Sequence, residues 1–212
     1  MTMMSRIRHA ENRHGPALGL SGHANVRTPC GARRIENVRP GDLIVTRDNG
    51  LQSVRMVWTR SVTAADIAAD PSLAPVRLKP RAIGPMMPQR DLLVAGAHRI
   101  LVPGFRLADV PDRKSWLIAA RDIAEASDSA YIDKSVGDMT FYNLVFSDHQ
   151  AFSAHGLPVE SYLPSTAALA ELDARVGEDI AELFGVSGGD APGYPAPRYE
   201  AFDAKGCLPA FL

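Results

Sequence analysis

Cysteine is nearly missing: Cys30 and Cys207 are the only two in 212 residues. Both lie in loop-like contexts, Thr28-Pro-Cys-Gly31 and Lys205-Gly-Cys-Leu208, which excludes a disulfide framework. The pair reads as two free thiols in a reducing compartment, with a single Cys30 to Cys207 bridge as the alternative. Long apolar runs are missing too. No stretch approaches 18 consecutive apolar residues, and the start MTMMSRIRHAENRHGP lacks the apolar centre of a secretory leader. The expectation is a soluble, cytoplasmic chain with no membrane partner, and export by a signal-independent route stays open. A surplus of one charge is also lacking, since 23 Lys and Arg face 24 Asp and Glu for a net charge of −1. No long-range field gathers nucleic acid or an anionic surface. CxxC and HExxH spacings do not occur, so His98, His149 and His155 read as ordinary loop and core histidines, with neither metal nor cofactor expected.

What is present is enough apolar residue, 46% of the chain, to bury a real core in one large or two small domains. Charge is distributed unevenly: ten Arg and four acids in residues 1–60, nine acids and three Lys or Arg in residues 160–212. Such asymmetry fits ends that lie together or face different partners. Residues 1–18 are polar, basic and without periodicity, which predicts a mobile arm. From Asn25 onward, short β-like pieces alternate with turn residues every eight to twelve positions, the spacing of an all-β domain. Asn49-Gly50 is expected to form a tight hairpin turn between Gly41–Val45 and Leu51–Trp58. Ser115 to Ile123 reads as strand or short helix. Met139 to Phe146 reads as a strand, and Gln150 to Ala154 followed by His155-Gly156 as the second half of another hairpin. Beyond Tyr162, Ser165 caps a helix in which Leu169, Leu172, Val176, Ile180 and Leu183 form one apolar stripe that ends at Gly185. The expected division is therefore an arm over 1–18, a β domain over 19–163, a helix over 164–185 and an extended tail over 186–212.

The stretch Asp91 to Pro103, DLLVAGAHRILVP, pinches two apolar runs around an Ala95-Gly96-Ala97 turn. His98 sits directly behind that turn. An imidazole there can act as acid or base, because its ordinary pKa of about 6.5 lies near working pH. The ordinary alternative is a ring satisfied by a backbone carbonyl. Asp91 and Asp148 can orient an imidazole or can be solvated turn acids.

Three blocks of the chain form an ordered set. Thr28 to Ile44 carries T-P-x-G-x-x-x-I-E-x-V-x-x-G-D-x-I. Ala95 to Leu101 reads A-x-x-H-R-I-L. Tyr142 to Ser161 follows Y-x-L-x-[VF]-x-x-H-x-x-F-x-[AV]-x-G-x-x-x-[AE]-S, with His149, Phe152, Gly156 and Glu160-Ser161 in register. Together these blocks resemble the Hint superfamily, the Hedgehog/intein domains, whose second block is [ST]-x-x-H-R-[IV]-L, and the hairpin G-D-L-I-V-T-R-D-N-G resembles that of a bacterial Hint group. The resemblance implies an all-β, pseudo-symmetric horseshoe with the C-terminal amphipathic helix and tail appended, and a site that cleaves its own backbone. In that chemistry a Cys or Ser at the first position attacks the preceding carbonyl to give an ester or thioester. A hydroxyl and His three residues apart in the second block grip and protonate the scissile amide.

Counted in register, the nucleophile position falls at Gly19 and the second-block hydroxyl at Ala95, while His98 is retained. Ser21, two residues on, and Cys30, eleven on, are the nearest substitutes, yet near-attack geometry tolerates about an ångström and not a shifted register. His149 stands at the histidine of the closing block. No Asn follows Asn143, which removes the cyclisation that splicing requires. The expectation is a Hint-type domain with a disarmed site, acting as a structural or interaction module for an unidentified protein partner, as a monomer or weak dimer. The rival expectation is active autoproteolysis near residues 19–21 by an N-to-O or N-to-S acyl shift.

Overall fold

Brief runs of β-branched and aromatic residues, punctuated by Gly, Pro and Asn, give many short strands rather than few long ones. A computed structural model describes residues 9–13, 15, 17–85, 87–107, 114–186 and 193–202. In chain order these form β1 (His9–Asn12), β2 (Leu20–Ser21), β3 (Asn25–Thr28), β4 (Gly31–Arg34), β5 (Leu43–Val45), β6 (Leu51–Ser53) and β7 (Met56–Val62). There follow α1 (Ala64–Ala69), β8 (Pro75–Leu78), β9 (Leu92–Ala95), β10 (Arg99–Pro103), β11 (Ser115–Ala119) and α2 (Ala120–Ala126). The last are β12 (Ala130–Ile132), β13 (Met139–Val145), β14 (Ala151–Ala154), β15 (Leu157–Glu160), α3 (Thr166–Ala170) and α4 (Ala174–Leu183). None of the described helices is long and apolar enough to cross a membrane.

The strands make a seven-stranded sheet in the order β1-β7-β13-β2-β9-β8-β12, a six-stranded sheet in the order β11-β10-β15-β14-β3-β4, and the β5-β6 pair. The largest apolar cluster lies between the two sheets and joins Leu20, Val57, Val94 and Leu144 of the first to Val26, Ile100, Ile118 and Val159 of the second. β7 is buried on both faces along Met56 to Thr59, as expected of an inner strand flanked by β1 and β13. The T-P-x-G spacing has a local cause. Thr28 Oγ1 donates to Gly31 O at 2.8 Å and accepts from Cys30 N, closing a turn whose Gly31 has φ +105°. Cys30 is exposed with a free thiol, and Cys207 lies outside the described residues.

Three details depart from the sequence reading. The first concerns the arm: His9–Asn12 is a strand, parallel to β7 in the register His9↔Val57 to Asn12↔Arg60. The rest of residues 1–8 lies outside the described residues. The second concerns the Asn49-Gly50 turn. The link from Val45 to Leu51 is a five-residue loop organised by Thr46, whose Oγ1 accepts from Asn49 N and donates to Gly50 O, and only Gly50 takes positive φ. The third is the helix, which is broken into α3 and α4. The amide of Asp173 donates to Asn12 Oδ1 at 2.7 Å, and Asp173 Oδ2 accepts from Arg13 N. A partner 161 residues away thus takes the amide that a continuous helix needs. The apolar stripe survives the break, with Leu172, Val176 and Ile180 buried on Met56, Trp58 and Tyr162.

Candidate functional site

The site is built where β2 threads the first sheet. Leu20 pairs with Tyr142 of β13 on one side and Val94 of β9 on the other, so the residues just before it meet both neighbouring strands. Gly19 O accepts from Ala95 N at 3.0 Å, and Leu18 O accepts from Asn143 Nδ2 at 2.9 Å. The chain then turns from Ala95 to His98, closed by His98 N donating to Ala95 O at 3.0 Å. Gly19 has φ +105°, a region that side chains rarely adopt. A Cβ there would lie 2.5 Å from Tyr142 O and 2.7 Å from Asn143 Nδ2. Ala95 is fully buried and packs with Ala17, Ala74 and Phe141, so a hydroxyl at that position would face an apolar cluster.

Leu18, His98, Arg99, Asn143 and Glu160 to Leu163 line a cleft of about 240 Å³, together with Ala168 of α3 and its C-cap Glu171. His98 is 6% exposed, and its Nε2 has no hydrogen-bond partner among the described residues. Burial pushes its pKa down to about 4, against the opposing pull of Glu160 and with a further lowering by Arg99. The ring is therefore neutral at physiological pH. Glu160 is buried between basic groups, with Oε2 3.6 Å from Arg99 Nη1 and Oε1 3.0 Å from His149 Nε2. The latter is a side-on contact rather than a directed hydrogen bond, since neither atom completes one. Tyr162 stands edge-on to Trp58 with ring centres 5.1 Å apart. Burial, followed by Glu171 and Tyr194, raises its phenol well above the usual range.

The structure thus brings Gly19, Ala95 and His98 to one place. Ser21 does not join them: it lines a separate cleft with His23, Glu36 and Tyr142. His149 lies behind Glu160 and outside the cleft lining, with its Nδ1 accepting from Arg198 N at 2.8 Å. His155 sits in the β14–β15 turn at φ +48°, and among the described residues no group of three or more metal-ligating side chains converges. Asp91 pairs with Arg77, not with His98. Two site residues were not singled out from sequence as functional, Asn143 and Glu160. Asn143 occupies a variable position of the closing block, and Glu160 is a motif position of it, with no sequence signal that either side chain reaches the cleft.

A family profile described as Hint domain matches residues 19–166. The chain belongs to the Hint domain family. Among solved structures, this Hint chain is similar to the gp41-1 intein, at 12% identity and a TM-score of 0.42, over 66% of this chain and 96% of that one. It is also similar to a bacterial intein-like domain from Clostridium thermocellum, at 13% identity and a TM-score of 0.41, over 69% of this chain and 99% of the other. A DnaB intein from Synechocystis sp. PCC 6803 aligns at 14% identity and a TM-score of 0.39, over 68% of this chain and 98% of that one. No curated protein matches the chain significantly.

Proposed function

We propose that this Hint domain no longer performs the acyl shift and serves as a folded structural or interaction module, with the peptide between residues 18 and 19 kept intact. One observation carries the reading: the counted nucleophile position is a glycine at φ +105° whose Cβ would lie 2.5 Å from a backbone oxygen. No nucleophilic side chain fits there without moving β13. The neutral His98 is a poor proton donor for an amine leaving group, because a general acid must carry its proton at working pH.

A second reading, self-cleavage near residues 19–21, is favoured by a different contact. Asn143 Nδ2 donates to Leu18 O at 2.9 Å, the placement of a donor that stabilises charge developing on a carbonyl oxygen. With glycine at position 19, attack on the Leu18 carbonyl needs a nucleophile from elsewhere, a water or an added thiol, whereas an acyl shift onto Ser21 would act on the Leu20 carbonyl and break the 20–21 amide. Intact mass of the purified chain under denaturing conditions, followed over a day with and without hydroxylamine or thiol, separates the two. The module reading expects an unchanged full-length mass. Loss of residues 1–18 or 1–20, abolished by His98→Ala or Asn143→Ala, would instead establish cleavage.

A further inference from the structure

β11 is the outer strand of the six-stranded sheet, and an uncovered edge leaves backbone donors and acceptors in search of partners. The chain covers this edge with its own C-terminal segment. Leu117 N donates to Glu200 O and Phe202 N donates to Leu117 O, each at 2.9 Å, in a parallel bridge between Leu117 and Ala201. Side chains on both sides reinforce it. Phe202 stands edge-on to Trp116 at 5.6 Å, Tyr199 packs on Leu101, Leu117 and Ala151, and Lys114 Nζ lies 3.2 Å from Glu200. Asp48 receives both the Tyr199 hydroxyl and Arg198 Nε.

The segment also reaches the interior. Arg198 N donates to Nδ1 of His149 at 2.8 Å, and His149 is only 2% exposed. A ring nitrogen that accepts a hydrogen bond carries no proton, so the ring proton resides on Nε2. That nitrogen lies 3.0 Å from Oε1 of Glu160 in the side-on contact described above, and Glu160 lines the same cleft as His98.

We propose that residues 197–202 form a positioning strap: they dock on the β11 edge, and the Arg198 backbone N–H fixes the buried His149 as its Nε2–H tautomer against the Glu160 carboxylate of the cleft. Arg198 acts through its main chain, while its guanidinium, Tyr199 and Phe202 supply the anchorage. The inference holds whether or not the chain cleaves itself, because it concerns how the tail sets the polarity of the cleft wall.

Long-range proton–nitrogen NMR of the imidazoles in the full ¹⁵N-labelled chain tests it, since the two tautomers differ in which nitrogen carries the proton. The native chain and Arg198→Ala, which keeps the backbone N–H, are expected to show His149 as a single Nε2–H tautomer. Arg198→Pro, which lacks that N–H, is expected to lose the single-tautomer signature, with the Trp116 indole resonance in place because Phe202 stays seated. Tyr199→Ala/Phe202→Ala unseats the strap and is expected to shift both the Trp116 indole and the His149 signals. Persistence of a pure Nε2–H tautomer in Arg198→Pro or in the double variant would overturn the proposal. So would its loss in Arg198→Ala.

Discussion

At Gly19 the main chain decides what the position can host. Its φ of +105° and the oxygen 2.5 Å from the ideal Cβ mean that any other residue must distort β2 or β13. Gly19→Ala and Gly19→Cys are each expected to cost roughly 2 to 4 kcal/mol, the sum of a strained dihedral and a local overlap. Urea unfolding measures that loss, and a Gly19→Cys chain as stable as the native one would show that the strand accommodates a nucleophile. His98 governs a different property. Its folded pKa of about 4 lies below the ordinary 6.5, so the unfolded chain binds a proton more readily between those values. The contribution of the neutral ring is full above pH 6.5, falls as pH drops toward 4, and changes no further below that. Its size is up to about 3 kcal/mol. Urea midpoints from pH 4 to 8 are expected to fall on the acid side less steeply for His98→Gln than for the native chain. Equal slopes would mean that His98 is not held neutral by burial.

At the scale of elements, β1 alters what cleavage could accomplish. Four residue pairs with β7, together with the contacts of Asn12 and Arg13 to Asp173, hold residues 9–13 in the sheet. Residues 1–18 and 19–212 made as separate chains are therefore expected to co-elute in native size-exclusion chromatography and to part only in denaturant. Separation in native buffer would show that β1 depends on covalent attachment. The same elements mark the limit of what sequence can reveal. The Val176–Ile180 stripe was legible because its spacing matches a helix. Gln150 to Ala154 was legible as a strand but not as the second half of a hairpin with the strand before it: β13 and β14 lie in different sheets, and the His155-Gly156 turn, with both residues at positive φ, leads on to β15. HAEN has no alternation to read, and its strand is specified by β7 and Asp173, which no local window contains. The break between α3 and α4 has the same distant cause. In the candidate site, Gly19, Ala95 and His98 could be counted from the blocks. Asn143 and Glu160 acquire meaning only when β2 comes to rest beside β13 and when β15 brings Glu160 to the cleft.

For the molecule as a whole, both sheets contribute to one apolar cluster, and the short β2 joins strands from distant parts of the chain. Unfolding should accordingly be one cooperative event. Trp58 lies in β7 of the first sheet and Trp116 in β11 of the second, which gives each sheet its own fluorescent reporter. Trp58→Phe and Trp116→Phe, each leaving a single tryptophan, are expected to show a fluorescence midpoint that coincides with far-UV circular dichroism in the same variant. Midpoints that part company would mean the sheets unfold separately. The placement of β2 also sets an order of events at the ribosome. Leu20 pairs with Val94 and Tyr142, so the strand leaves the exit tunnel long before its second neighbour has been translated. At roughly 5 to 20 residues per second, that wait lasts about 6 to 24 seconds. Throughout it the first sheet has a gap at its middle, and the nascent N-terminal segment must stay free of other nascent chains until β13 emerges to close it.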